Sequence, residues 1–213
     1  MGQISAELRL EDINITSETY LFPFSDKYRI RSLTVQSVVD KRDRLPFPRR
    51  GIYNRWFWES GNQRVLGGSE SFTRVFIGLE GYYPFLKQFN WHPFIFGGTG
   101  DLTVPFSEFF YFGGQQSFPG LYEHEKFGRQ FLQAGLDFRY QIEWNLPIEA
   151  FFKAKYTVGA AWERADAQID GSDFLHSVSI TAAVNSLLGP IQATYGSIID
   201  GRSIFYFSIG FDF

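Results

Sequence analysis

The last stretch of the chain carries a large apolar residue at every second position: Ser203-Ile204-Phe205-Tyr206-Phe207-Ser208-Ile209-Gly210-Phe211-Asp212-Phe213. Successive side chains of a β-strand point to opposite faces, so the apolar side chains of one parity share a face. In an α-helix the same spacing would scatter them around the axis. The stretch therefore predicts a β-strand with one apolar face, built from Phe205, Phe207, Ile209, Phe211 and Phe213.

The same period of two recurs along most of the chain. Alternating segments lie at residues 3–13, 28–40, 51–61, 70–82, 91–99, 128–143, 147–163, 175–187, 190–199 and 203–213. Turn signals such as Asp170-Gly171 and Asp200-Gly201 separate them. Several segments exceed ten residues, whereas strands of globular proteins mostly have about 5–6. The sequence therefore predicts an all-β, antiparallel protein of about ten long strands.

Alternation alone fits both a soluble sandwich, whose apolar face is the core, and a membrane barrel, whose apolar face contacts lipid. Segment length favours the barrel, since about 9–11 tilted residues cross the hydrocarbon layer. Phe, Trp and Tyr make up 19% of the chain, with 25 Phe, although the mean hydropathy is only −0.17. We therefore predict an antiparallel transmembrane β-barrel. Aromatic residues near segment ends suit its interfacial girdles: Trp56, Trp58, Tyr82, Tyr83, Trp91, Trp144, Trp162 and Tyr206.

Composition excludes several other classes of protein. The formal net charge of −3 gives no basic field for nucleic acid. The absence of Cys excludes disulfides, thiolate metal sites and cysteine nucleophiles. No run approaches the roughly 18 apolar residues of a transmembrane helix, and residues 1–5 lack the basic and apolar regions of a signal peptide.

Four motifs resemble landmarks of the outer-membrane surface-antigen superfamily, in the family's order. Residues 112–122, Phe-Gly-Gly-Gln-Gln-Ser-Phe-Pro-Gly-Leu-Tyr, resemble its "GG…(R)GY" loop. Residues 136–140, Leu-Asp-Phe-Arg-Tyr, are similar to the acidic-aromatic-Arg strand that follows. Residues 43–51 resemble its "D-x-R…F-P-x-x-G" turn, and residues 205–213 resemble its C-terminal strand. The superfamily includes barrel-assembly insertases, two-partner secretion transporters and the barrels of bacterial patatin-like phospholipases.

The resemblance carries expectations about the whole protein. Insertases and transporters have an Arg before the loop's Gly-Tyr, where this chain has Pro119, and the form without Arg looks more like the patatin-associated barrels. The family barrel has sixteen strands, so residues 1–213 are expected to be one N-terminally truncated barrel domain with a lumen-directed loop at about 100–127. The implied location is the bacterial outer membrane. The implied partners are outer-membrane lipid, the barrel-assembly machinery and an upstream passenger domain; homo-oligomerisation stays open.

The resemblance also implies roles for particular residues. The lumen loop motif comprises Gly113, Gly114, Phe118, Gly120 and Tyr122. Residues 106–122 of the loop hold seven aromatic residues, too many for a solvated tip, so we expect it to fold into the lumen. Asp137 or Arg139 would be its partner there, although inward charges on the strands can equally pair across strands, at about 0.2–1 kcal/mol each. The C-terminal assembly signal would comprise Phe207, Ile209, Phe211 and Phe213.

A search for catalytic chemistry finds little. A patatin hydrolase needs a G-x-S-x-G elbow, which the chain lacks. His92 is interpreted as an interface residue beside Trp91, and His124 as a solvated loop residue. Asp173 and His176 allow comparison with outer-membrane proteases that use Asp and His at the barrel rim, but no second carboxylate pair accompanies them. The sequence predicts no catalytic, metal-binding or cofactor-binding residue.

The preferred function is a barrel that anchors, and translocates, an upstream patatin-like lipid hydrolase. An insertase or secretion-transporter barrel is the second hypothesis, and the missing loop Arg argues against it. A self-contained ten-stranded barrel with a rim enzyme site and a soluble lipid-binding β-protein are the remaining alternatives. The upstream sequence would separate the first three, and detergent dependence would separate the last.

Overall fold

A computed structural model describes residues 2–17, 24–143, 148–186 and 189–210 of the chain. Nearly all of its regular structure is β-strand, in agreement with the predicted all-β class. The strands are β1 (Gly2–Ser17), β2 (Phe24–Asp40), β3 (Gly51–Gly61), β4 (Phe72–Pro84), β5 (Phe89–Gly100), β6 (Phe110–Phe112), β7 (Lys126–Gly128), β8 (Gln130–Ile142), β9 (Glu149–Trp162), β10 (Leu175–Ser186), β11 (Gly189–Ile198) and β12 (Ser203–Ile209). Two four-residue helices, α1 (Gln63–Leu66) and α2 (Gly114–Ser117), lie in connections.

Ten of the strands form one antiparallel sheet, in the order β1-β2-β3-β4-β5-β8-β9-β10-β11-β12. These ten correspond to the ten predicted segments, so the predicted strand number is confirmed. The short strands β6 and β7 pair only with each other, inside the connection between β5 and β8. Within the described residues, β1 and β12 each have a pairing partner on one side only.

The connections alternate between two ends of the sheet. The loop end carries residues 62–71, 101–129, 163–174 and 199–202, and the turn end carries residues 41–50 and 85–88. Long loops at one end and shorter turns at the other are typical of outer-membrane barrels.

The sheet curves around an interior. Arg44, in the turn between β2 and β3, lies with its guanidinium 2.6 Å from the carboxylate of Glu149 on β9. Strands β3 and β9 are four positions apart in the sheet, a separation of about 19 Å if the sheet were flat. The turn bridges them because both strands face the same concave side.

The two faces of the sheet decide between a soluble sandwich and a membrane barrel. On β9, the apolar outer side chains of Phe152 and Tyr156 are 51% and 43% exposed, whereas the inward Thr157 is 0% exposed. A soluble sandwich would bury the apolar face, so this inverted distribution is that of a transmembrane barrel wall. The other exposed apolar side chains of the outer face include Ile4, Leu8, Trp56, Trp58, Ile77, Leu79, Trp91, Ile95, Phe138, Ile180, Phe205 and Phe207.

Three side chains that were predicted to lie at the membrane interface instead face the interior. Tyr82 shares its face of β4 with Glu80, and its hydroxyl donates to that carboxylate over 2.7 Å. His92 lies on the inner face of β5, 2.9 Å from the same carboxylate. Tyr206 points inward from β12 and contacts the long loop. The period of two places each of them opposite its exposed neighbours, and Trp144 lies outside the described residues.

In the parts of the chain that the structure describes, no helix is long and apolar enough to cross a membrane.

Candidate functional site

Residues 101–129, which we call the interior loop, occupy the concave side of the sheet. The β6–β7 pair forms the stem, and α2 with the following residues forms the tip. Gly113 begins the tip at φ +141°, where a Cβ would lie 2.2 Å from the carbonyl oxygen of Tyr122. Only glycine fits that close approach of two backbone segments, which accounts for Gly113 within the motif.

The tip is buried by apolar packing. Phe118 is 0% exposed, and the centre of its ring lies 5.1 Å from that of Phe112. The two rings belong to a cluster that joins the loop to inward side chains of the sheet and its connections: Phe110, Phe112, Phe118, Leu121, Phe131 and Ile198. Burying aromatic rings contributes most of the stabilisation available to such a contact. Phe118 is therefore the apolar anchor of the loop.

Polar contacts hold the same tip to β8, β9 and β11. The ammonium group of Lys155 donates to the carbonyls of Gln116 and Ser117, over 2.6 and 3.0 Å. The side-chain amide of Gln133 also donates to the Ser117 carbonyl, over 2.9 Å. Gln115 donates to the hydroxyl of Thr194, again over 2.9 Å. The carbonyls of Gln116 and Ser117, which burial of the tip removes from water, thus gain partners, as buried polar groups require.

Gly120 and its neighbours are held by the last hairpin. The N–H of Gly120 donates to the hydroxyl of Tyr206 over 2.8 Å, and that hydroxyl donates to the carbonyl of Leu121 over 2.6 Å. The guanidinium of Arg202 donates to the Gly120 carbonyl over 3.1 Å and stacks on Tyr122, which is otherwise exposed. Gly120 has φ +102°, and a Cβ there would lie 2.8 Å from the backbone N of Ile198, so close approach again requires glycine.

The base of the interior loop is anchored to other strands of the same concave side, β1, β3 and β4, by a buried ion-pair cluster. The carboxylate of Glu108, 2% exposed, lies 2.7 Å from the guanidinium of Arg9 on β1 and 2.6 Å from that of Arg74 on β4. Arg74 also pairs with the buried Glu59 of β3, over 2.7 Å. Ser32 donates to Glu59 over 2.6 Å. Two cations and two carboxylates thus balance each other inside the fold.

The 41–50 turn enters the interior from the opposite end. The ring of Phe47 is 4% exposed and lies 4.6 Å from the ring of Phe151 on β9. The guanidinium of Arg139 lies over both rings, 5.3 and 5.8 Å from their centres, and donates to the carbonyl of Pro48 over 2.9 Å. This differs from the expectation that Asp137 or Arg139 would meet the interior loop. Arg139 holds the turn instead, and Asp137 makes no hydrogen bond to the loop among the described residues.

Asp43 fixes the conformation of that turn. Its carboxylate accepts the backbone N–H groups of Arg49 and Arg50, over 2.8 and 3.1 Å. Burial raises the pKa of this carboxyl, but the backbone N–H groups outweigh burial and hold the pKa below its ordinary value. The Asp and Gly of the "D-x-R…F-P-x-x-G" motif are therefore the two ends of a closed turn.

A cavity of about 670 Å³ lies between the loop tip and the turn. Its lining includes the Glu80–His92 pair, which sequence reasoning missed because His92 was interpreted as an interface residue. The sequence did contain a signal for this position, because His92 alternates along β5 with Phe94 and Phe96 and must therefore face the interior with them. The other charged side chains of the lining are Arg42, Asp137, Arg139, Lys153 and Lys155.

The residues considered for catalysis have other contacts. The ring of His176 lies on the outer face, with Nδ1 2.7 Å from the hydroxyl of Tyr156. Asp173 accepts the backbone N–H of Asp170 in a turn, and Asp170-Gly171 forms the start of that turn. His124 is an exposed loop residue, as interpreted from the sequence. Within the described residues, no three His, Cys, Asp or Glu side chains are grouped so as to hold a metal ion.

The proposed C-terminal signal is described in part. Phe207 and Ile209 lie on the outer face of β12, 62% and 58% exposed. Phe211 and Phe213 lie outside the described residues.

Comparison with protein-family models matches residues 4–213 to the Omp85 superfamily domain. Comparison with curated proteins found no match. The superfamily is the outer-membrane surface-antigen family that the motifs resemble, and its domains are outer-membrane proteins of bacteria. The match covers nearly the whole chain, and an exposed apolar outer face, a buried polar inner face and an interior loop agree with it. The chain belongs to the Omp85 superfamily.

Proposed function

We propose that this chain is the wall of a bacterial outer-membrane β-barrel that anchors an upstream passenger domain and provides its passage through the membrane. The passenger we favour is a patatin-like lipid hydrolase. The barrel would be the C-terminal part of a sixteen-stranded one, and the barrel-assembly machinery would insert it.

The main support for the proposal is that the loop tip packs against the barrel wall although it lacks the Arg that insertases and secretion transporters have before the motif Gly. Pro119 occupies the position before the motif Gly, and its carbonyl accepts a hydrogen bond from Ser177. A Cβ on Gly196 would already lie 2.5 Å from the Cβ of Pro119, so the wall fits closely around this residue. The charged contacts of the tip are supplied from outside the loop, by Lys155 of β9 and Arg202 of the last hairpin. This arrangement departs from insertases and secretion transporters, and it supports the patatin-associated branch.

The anchored loop supports a closed resting state. Glu108 fixes the base of the loop on β1 and β4, and Gly120 fixes the tip beside β12, so the loop crosses the concave side. A polypeptide could pass only if the tip left its site, which would expose Phe118 and release the carbonyls held by Lys155. Translocation would therefore require displacement of the tip while the base stays in place.

An insertase or secretion-transporter barrel is the second candidate. The superfamily match favours it, since family members work with assembly and secretion machinery. In that case the substrate would be a separate protein, and the interior loop would move for each substrate.

Locking the loop tests the proposal. Because the chain has no Cys, a Gln115→Cys/Thr194→Cys variant can be joined by a short thiol cross-linker across a contact of 2.9 Å. The full gene, with its natural upstream region tagged, is expressed in an outer-membrane-competent bacterium, and surface exposure of the tag is measured by protease digestion. The single variant Gln115→Cys with the same reagent is the control.

We expect the joined barrel to insert but to leave the tag inside. A tag that reaches the surface equally in joined and control cells contradicts passage through this barrel. An unaffected tag together with reduced assembly or secretion of other outer-membrane proteins would favour the second candidate.

A further inference from the structure

Two cations face each other directly across the strands in the interior. In the register of β8 and β9, Arg139 pairs with Lys153, and Asp137 pairs with Lys155. All four side chains line the cavity between the loop tip and the 41–50 turn. Like charges directly opposite on neighbouring strands repel and destabilise a sheet. The Arg139–Lys153 pair therefore requires a compensating charge.

The protein supplies only part of that compensation. Apart from His92, six charged side chains line the cavity, and four of them are cations and two are carboxylates. Arg42 pairs with Asp40, over 2.7 Å, and Glu80 pairs with His92 and Tyr82. Arg139, Lys153 and Lys155 surround the carboxylate of Asp137, which interacts electrostatically with all three, and Glu80 interacts in addition with Lys155. Three cations thus face two carboxylates.

Hydrogen bonding leaves the same groups incompletely satisfied. Arg139 and Asp137 are 7% and 8% exposed, and among the described residues Arg139 Nε and Asp137 Oδ1 have no hydrogen-bond partner. Within the part of the chain that the structure describes, the ammonium group of Lys153 donates to one acceptor, the side chain of Gln192, over 2.9 Å. Buried cations with unused donors are costly unless an anion or another acceptor meets them.

We propose that this cavity, which we call the interior anion site, binds an oxyanion of the phosphate class beside Arg139 and Lys153. The bidentate guanidinium and the ammonium are the donors that such groups prefer. The nearby hydroxyl of Ser179, which also lines the cavity, supplies a further donor. Its volume of about 670 Å³ accommodates either inorganic phosphate or a phosphorylated headgroup.

Lys155 has a different task, because its ammonium already holds the loop carbonyls of Gln116 and Ser117. The carboxylate of Asp137 interacts with both Lys153 and Lys155, and its negative charge keeps the anion from pulling the ammonium group of Lys155 off the loop carbonyls. Removing its charge should therefore strengthen anion binding, whereas removing the charge of Lys153 should weaken it. The opposite signs distinguish a binding site from a general effect on folding.

Thermal unfolding of the full chain in detergent, followed by heat-modifiable gel mobility, tests the site. Inorganic phosphate is titrated against chloride at constant ionic strength, since a ligand of the folded state raises the unfolding temperature. We expect saturable stabilisation by phosphate. Lys153→Met should weaken apparent affinity by at least about tenfold, the loss of one charge-assisted hydrogen bond, while Lys153→Arg should retain it and Asp137→Asn should tighten it. Lys87→Met, at an exposed lysine of the turn end, is the matched control.

Equal responses of wild type, Lys153→Met and Lys87→Met would overturn the proposal, as would a wild type that responds to neither inorganic phosphate nor glycerol 3-phosphate. If Lys153→Met does not fold, the comparison of Lys153→Arg and Asp137→Asn with wild type still decides: no tightening in Asp137→Asn overturns the proposal. Titration with glycerol 3-phosphate separates the sources. A response to both compounds supports a free phosphate group, a response to glycerol 3-phosphate alone supports an esterified headgroup, and a response to neither overturns the site.

Discussion

Replacing Phe118 with Ala tests whether the seated loop closes the interior. The ring is fully buried, packs with its centre 5.1 Å from that of Phe112 and belongs to one cluster with Phe131 and Leu121. Removing a buried Phe side chain costs about 3–5 kcal/mol. Even about 3 kcal/mol lowers the ratio of seated to released loop by roughly 100-fold. The loss falls on the loop because the strands of the sheet keep their own hydrogen bonds.

The measurement combines single-channel conductance in planar bilayers with limited proteolysis of the interior loop. Heat-modifiable mobility first verifies that the variant folds. Leu102→Ala is the control, since Leu102 belongs to the same loop but is 59% exposed. We expect Phe118→Ala to conduct more and to be cut faster. If both variants show the conductance and the protease resistance of wild type, then burial of the Phe118 ring does not hold the loop in place.

Three other outcomes are expected. Replacing Gly113 and Gly114 with Val should impair assembly or pore behaviour, because both have positive φ and adjoin residues 122–125; normal heat-modifiable mobility with unchanged conductance would contradict this. Deleting Phe213 should reduce outer-membrane insertion in cells far more than refolding in detergent, and equal losses in both assays would count against an assembly signal. The depressed pKa of Asp43 stabilises the turn above the ordinary carboxyl value of about 3.9, and this stabilisation is lost as pH falls through the lowered pKa. Asp43→Asn should flatten that acid dependence of the unfolding temperature, and an unchanged profile would refute it.

The strands could be predicted from the sequence, and the contacts between distant elements could not. Alternation at Phe205, Phe207 and Ile209 is set by the geometry of the strand itself, so the sequence alone determines which side chains share a face. The same rule predicts that Tyr206 faces inward, although its aromatic character favoured an interface position. The position of Tyr206 in the alternating pattern thus predicted its direction better than its aromatic character did.

Contacts that depend on the course of a loop carry no such periodic signal. Glu108 lies in an irregular stretch, and nothing local indicates that it is buried between Arg9 and Arg74. Arg139 lies in the interior, and its partner there is Pro48 of the turn rather than the interior loop. Partner identity depends on the curvature of the whole sheet, which brings residues about 90 positions apart into contact.

The contacts of Gly120 impose an order of events during folding. A chain is synthesised from its N-terminus, so the loop exists before Arg202 and Tyr206, the residues that hold it. The tip can reach its final position only after β12 has joined β11. A loop tip bound in the interior therefore indicates that the last hairpin is complete. A protease that cuts only the unbound loop would degrade chains whose final strand has not yet paired.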